Sequence, residues 1–412
     1  MTAQAGLTLR ACRLPARQGL FDVALRDGRI GAVTPSGGPP SAGGPPSAGG
    51  PPSAGGPPSA GEVLDLGGRL LLPALADGHV HLDKTFLGEA WRPHRPGDTI
   101  AARIAAERAE RRTLEQPLAE RARLLVERVI GFGTLALRSH VDIDEEIGLT
   151  HLETLLALRE SLAERIDIQF VAFPQSGIGP RVAELLDEAL RLGTEVIGGL
   201  DPAGIDGDVE GHLGTVFGLA EKHGRRIDIH LHDPGPLGAF ELRRIAERSA
   251  ASGLQGRVAV SHAFALGMVD ERELAATAQA LARGGVAIMT NGPGADAIPP
   301  VRRLVEAGVT VFGGSDNIRD AWSPFGSGDL LQRAGLIGYR ADFRSDEDLR
   351  LAFALVTSES REVMGLPPVA VEPGAPADLV ALAAADVPEA VASAPAERLV
   401  IRAGRRVASP NA

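Results

Sequence analysis

The chain has 412 residues, 44% apolar and 23% charged, which suits one large globular domain with a smaller one beside it. A formal charge of −11 argues against a nucleic-acid or anionic-membrane partner, which needs clustered Lys and Arg; lysine occurs only at positions 84 and 222. Cys12 is the sole cysteine, so an internal disulfide and a cysteine metal site are excluded. Residues 1–10 do not read as a signal peptide and no apolar run is long enough to span a bilayer, so a cytoplasmic protein is expected.

In chain order, Phe21–Leu25, Arg29–Val33 and Glu62–Leu66 read as short strands. Between the second and third lies a low-complexity tract, residues 37–61, with Gly-Gly-Pro-Pro-Ser-Ala four times. It has nothing to build a core from, and it reads as a disordered insertion that expands a surface turn. From Leu70 a strand-then-helix alternation begins, with strands ending near His79, His140, Pro174, Leu200, Leu231, Ser261, Thr290 and Gly314. Helices are expected between them, among others over 116–130, 147–163, 180–192, 209–222 and 271–283. Eight such units predict an α/β fold, a (β/α)8 TIM barrel over 70–365. Ala377–Leu382 and Arg398–Val407 return to strand patterning, so 1–69 plus 366–412 is expected to form a small β-sandwich domain.

Barrel enzymes carry their reacting groups at the C-terminal ends of strands. Here those ends supply His79/His81, His140/Asp142, Gln175, Asp201, His230/His232/Asp233, His262, Asn291 and Asp316/Asn317, including six of the ten histidines. In His79-Val80-His81 the two imidazoles share a face at the end of one strand, a spacing suited to gripping one metal. With His230 and Asp316 they make a nitrogen-rich set with one carboxylate, fitting one divalent ion, zinc or iron. Such an ion lowers the pKa of its water to roughly 7, and Asp316 is placed to take the proton. Lysine is absent from the third and fourth strand ends, which removes a modified-lysine bridge. Asp201 remains a possible second-metal ligand with nothing further to support it, and a mononuclear site is favoured. Lys84, just after the HxHLD element, has the reach to meet a substrate oxygen or to form a salt bridge.

GHVHLDKTF (78–86), RSHVDID (138–144), IDIQFVAFPQSG (166–177), RIDIHLHDPG (226–235), VAVSHAF (258–264) and GGSDNIRDAWSPFGSGD (313–329) together resemble the amidohydrolase superfamily, in its cytosine deaminase-like branch. The resemblance runs from about Gly61 to the C-terminus. It implies His79, His81, His230 and Asp316 as metal ligands, and His262 beside the attacking water. It further implies Gln175 on a cyclic amide edge of the substrate, and Asn317 and Trp322 around the ring. Cytosine deaminases carry a glutamate three positions after the third metal histidine. Here that position is Asp233, preceded by His232, and either is a candidate proton shuttle. HLHDPG, GGLDPA (198–203) and SDNIRDAWSPFGSGD look more like N-isopropylammelide amidohydrolases, which process triazines. The resulting expectation is a metal-dependent hydrolase that removes an exocyclic amine from a small nitrogen heterocycle, as a deaminase. The alternatives are release of an alkylamine from an N-alkyl aminotriazine and, further off, cyclic amide opening. Relatives are often homo-oligomers, and no surface pattern here sets a number.

Overall fold

A computed structural model describes residues 6–37, 61–95, 97–294 and 296–407. The first four strands, β1 (Leu7–Cys12), β2 (Phe21–Arg26), β3 (Arg29–Pro35) and β4 (Glu62–Asp65), form one sheet in the order β3-β2-β1-β4. β5 (Leu70–Pro73) leaves that sheet and leads directly into the first strand of the barrel. Most of the Gly-Gly-Pro-Pro-Ser-Ala tract falls outside the described residues. Its two flanking strands are not neighbours, however. β3 and β4 occupy opposite edges of their sheet, so the tract joins two edges rather than enlarging a turn between paired strands.

Eight parallel strands follow: β6 (Leu75–Val80), β7 (Thr134–Asp142), β8 (Asp167–Phe173), β9 (Val196–Leu200), β10 (Arg226–Leu231), β11 (Val258–His262), β12 (Val286–Thr290) and β13 (Val311–Gly313). Each pairs with the next in sequence. Most are buried along their whole length, as expected of strands covered on both faces by the barrel interior and by helices. The five helices read from periodicity appear at Leu118–Gly131, Thr150–Leu162, Pro180–Arg191, Val209–His223 and Glu271–Gly284.

The ring closes through a parallel bridge between Val80 and Asp316. Closure needs two backbones to touch. A Cβ at Gly314 would lie 2.6 Å from the His79 carbonyl oxygen, and one at Gly78 would lie 2.4 Å from the Phe312 ring. Glycine at both positions lets β6 and β13 meet, and so brings Asp316 beside His79.

The last strands, β14 (Leu379–Leu382), β15 (Arg398–Arg402) and β16 (Arg405–Arg406), join β5 in a second sheet, order β16-β15-β14-β5. Leu9, Val23 and Leu25 from the first sheet share a core with Leu71, Leu379 and Ile401 from the second. A separate, larger core links the barrel strands to their helices.

Candidate active site at the barrel mouth

The strand ends surround a cavity of about 570 Å³. His81 Nε2 lies 3.3 Å from His79 Nε2 and 3.3 Å from Asp316 Oδ1, and His79 Nε2 lies 3.5 Å from the same oxygen. His79, His230 and His262 form a second group whose ring nitrogens lie within 4.8 Å of one another. The four residues read as ligands therefore do converge, with His262 against them. All five are nearly or fully buried.

The electrostatics of this cluster are unusual for a protein interior. Among the described residues neither ring nitrogen of His230 has a hydrogen-bond partner, nor do Nδ1 of His81 and Nδ1 of His262. Buried polar atoms are normally satisfied. Burial, reinforced by neighbouring imidazoles, holds His230 and His262 well below the usual histidine range, and hence neutral. Burial alone would raise Asp316, but hydrogen bonding to His79 and His81 outweighs it and keeps the carboxyl well below its ordinary range. Lone pairs facing one another around an anionic oxygen suit a cation, and the residues present fit a divalent metal of the borderline class.

The backbone at this end is held in sparsely populated conformations. Asp201, His262 and Asp316 have φ of 38°, 74° and 58°. Such residues cost roughly 1–3 kcal/mol each and persist where the surroundings fix them. Asp316 is fixed by its N–H donating to the His79 carbonyl at 2.8 Å and by Asn291 Nδ2 donating to its Oδ2 at 2.7 Å.

In another part of the lining Lys84, 5% exposed, donates to Glu107 at 3.0 Å and to Gln175, and lies 3.1 Å from Asp142. Gln175 Nε2 and the Trp322 indole N–H both donate to the same oxygen, Glu107 Oε2. Burial works against the Lys84 charge, but Asp142 and Glu107 more than offset it and hold the ammonium above its usual range. Burial raises Asp142 well above the carboxylate range, while Lys84 and hydrogen bonds keep Glu107 below it. Lys84 thus makes the salt bridge and also faces the cavity. Glu107 was not legible as a site residue. It belongs to the helix Ile100–Arg111, whose Ala/Arg/Glu-rich sequence reads as solvated, and only the fold tucks it under the barrel mouth.

Asn317 and Trp322 also line the cavity. Asn317 donates to Asp320 at 2.8 Å, and the N–H groups of Trp322 and Ser323 donate to the other oxygen of that buried carboxylate. The loop is therefore folded around Asp320. Arg319 lies over the Trp91 ring, 5.8 Å from its centroid.

Two expectations need correction. Asp233 does not reach the cavity: its Oδ2 accepts from Gly204 N–H at 2.9 Å, and it packs against Glu241 behind the loop. The strand has already ended at Leu231, so the chain turns Asp233 away from the cavity while His232 faces it, its ring stacked on His262 at 4.6 Å between centroids. Asp201 is likewise engaged elsewhere, because its two oxygens accept from His232 backbone N–H and Nδ1, the latter at 3.0 Å. His140 is wholly buried beside the cluster, and among the described residues its ring has no hydrogen-bond partner.

Residues 128–408 match the model of the amidohydrolase family. The chain belongs to this family. It is 33% identical over 353 residues to the N-isopropylammelide isopropyl amidohydrolase of Pseudomonas sp. strain ADP, covering 83% of this chain and 87% of that one. The crystal structure of N-isopropylammelide isopropylaminohydrolase from Burkholderia multivorans superposes with a TM-score of 0.89 at 39% identity, covering 99% of both chains. That of 5-methylcytosine deaminase from Klebsiella pneumoniae gives 0.81 at 26% identity, covering 97% of both. The protein is therefore a hydrolase of carbon–nitrogen bonds other than peptide bonds, and these likenesses support cleavage on nitrogen heterocycles. No helix among the described residues is long and apolar enough to cross a membrane.

Proposed function

We propose that this hydrolase releases an alkylamine from an N-alkylated aminotriazine, using one divalent ion held by His79, His81, His230 and Asp316. The observation that carries the choice is the placement of His232 in the cavity and of Asp233 outside it. The carboxylate at the position of the cytosine deaminase glutamate, Asp233, is tied to Gly204 away from the cavity, and the His232 imidazole lines it instead. Phe173, Leu200, Phe264 and Ile318 line the cavity and offer apolar surface to an alkyl substituent.

When bound, the ion supplies Lewis acidity and an acidified water. The protein residues do the rest. Asp316, held by Asn291, accepts a proton from the attacking water through Oδ1. His262 hydrogen-bonds the oxygen as it adds to the ring carbon. His232, its Nδ1 donating to Asp201, takes up at Nε2 the proton that Asp316 received from the water and passes it to the leaving amine. Lys84 and Gln175 bind the oxygen-bearing edge of the ring, while Asn317 and Trp322 confine it.

Loss of ammonia from a pyrimidine or pterin is the second reading, favoured by the likeness to 5-methylcytosine deaminase. A panel of N-isopropylammelide, ammelide, cytosine and pterin, with the released amine identified, separates the two. Isopropylamine release with cytosine inert is expected. Ammonia from cytosine or pterin, with the alkylated triazine inert, would overturn the assignment.

A further inference from the structure

Beneath the histidine cluster a buried chain of polar groups descends through the barrel interior. His79 Nδ1 lies 2.9 Å from Ser261 Oγ, and Ser261 Oγ donates to Asp228 Oδ1 at 2.8 Å. Asp228 Oδ2 accepts from Arg138 Nη1 at 2.8 Å. Arg138 is anchored in turn, donating through Nε to Gln169 Oε1 and through Nη2 to the Val363 carbonyl, both at 2.8 Å. None of the four residues is more than 1% exposed, and they come from four different strands: β6, β11, β10 and β7.

The polarity of this chain can be worked out from donor counting. Asp228, paired with a guanidinium, is a carboxylate and only accepts. A serine hydroxyl has one proton, and here Asp228 takes it. Ser261 Oγ therefore meets His79 with a lone pair, and His79 Nδ1 must carry the hydrogen. Nε2, the nitrogen facing His81 and Asp316, is then the one left to present a lone pair. With Nδ1 bare instead, Nε2 would point a hydrogen into the cluster and close it to a cation.

We infer that Arg138, Asp228 and Ser261 are positioning residues that lock His79 in the Nδ1–H tautomer and so ready Nε2 for a metal. The inference rests on the reading of His79 as a ligand given above. Outer groups of this kind change metal affinity by roughly 10–100-fold when removed.

The test is Zn²⁺ affinity of chelator-stripped protein, by competition with a chromogenic chelator, for wild type, Ser261→Ala, Ser261→Thr, Asp228→Asn and His79→Ala. Ser261→Ala is expected to bind roughly 10–100-fold more weakly, with the melting temperature of the metal-free protein kept. Ser261→Thr retains the hydroxyl and should recover most of the affinity. Asp228→Asn should weaken binding too, providing a second route should Ser261→Ala fold poorly. In histidine-¹⁵N-labelled metal-free protein, the signal lost in His79→Ala should report an Nδ1–H ring, and Ser261→Ala should shift it. Wild-type affinity in Ser261→Ala and Asp228→Asn, with zinc lost in His79→Ala, would overturn the relay and leave the ligand reading standing. Wild-type affinity in His79→Ala as well would overturn both.

Discussion

The two walls of the cavity are built on opposite principles. Around Lys84 the protein supplies its own positive charge and surrounds it with Glu107, Asp142 and Gln175, all within the cluster. Around His79 it supplies imidazole nitrogens and one carboxylate, and among the described residues the ring nitrogens of His230 have no hydrogen-bond partner. The first wall is complete as it stands and is suited to holding a substrate edge. The second presents a donor set that a cation would complete. Burial is similar on both sides, so the presence or absence of protein partners distinguishes them, not solvent access.

The largest expected effect falls on the histidine wall. His79→Ala or Asp316→Ala should lower turnover on the order of 10³-fold or more while the melting temperature stays near that of wild type. A metal-free variant with wild-type rates would remove the contrast between the walls. On the lysine wall, Glu107→Gln should lower kcat/KM by roughly 10–100-fold, mainly through KM, because it loosens Lys84, Gln175 and Trp322 together. Metal content should not change. Loss of metal in Glu107→Gln would show that the two walls are one unit.

A smaller effect concerns the carboxyl pair behind the cavity. Burial, and then the neighbouring Asp233, push Glu241 up to about 8. An unfolded chain releases that proton near the ordinary glutamate value, while the folded one keeps it. Stability should therefore fall as pH rises from about 4.5 to about 8, and level off above. Glu241→Gln should flatten that slope, as read from urea midpoints across the range. A slope unaltered by the substitution would place the proton elsewhere.

The smallest effect concerns the Gly-Gly-Pro-Pro-Ser-Ala tract. Pro35 ends β3 level with Phe21 and Cys12, whereas β4 starts at Glu62 level with Leu7. At ~4.8 Å between strands and ~3.4 Å per residue, those two ends are roughly 22 Å apart. Removing three of the four repeats leaves enough chain to cross, and kcat should stay within about twofold. Removing all four leaves Ser36 and Gly61 as the only link, reaching about 10 Å, and should dislodge β4 with a loss of stability.

Much of this arrangement was legible in the sequence. The strand ends and the interposed helices follow from apolar runs and helical periodicity, and the histidine cluster follows from where the polar residues sit on those runs. What was hidden depends on how strands end. His232 and Asp233 are adjacent, and sequence spacing alone favours neither. The strand's end at Leu231 and the contact of Asp233 with Gly204 decide between them. Glu107 was hidden because a charged residue on a helix reads as solvated unless the helix is known to cap the barrel. Asp201 was visible as a polar strand end, but its partner, the His232 ring, depends on the left-handed turn at φ 38° that no pattern reports.

The most direct test of the account is a zinc titration of chelator-stripped protein, with amine release from N-isopropylammelide followed in parallel. The rate should rise linearly to one equivalent of metal and then stay flat. A full rate in the stripped protein, or a break at two equivalents, would contradict it.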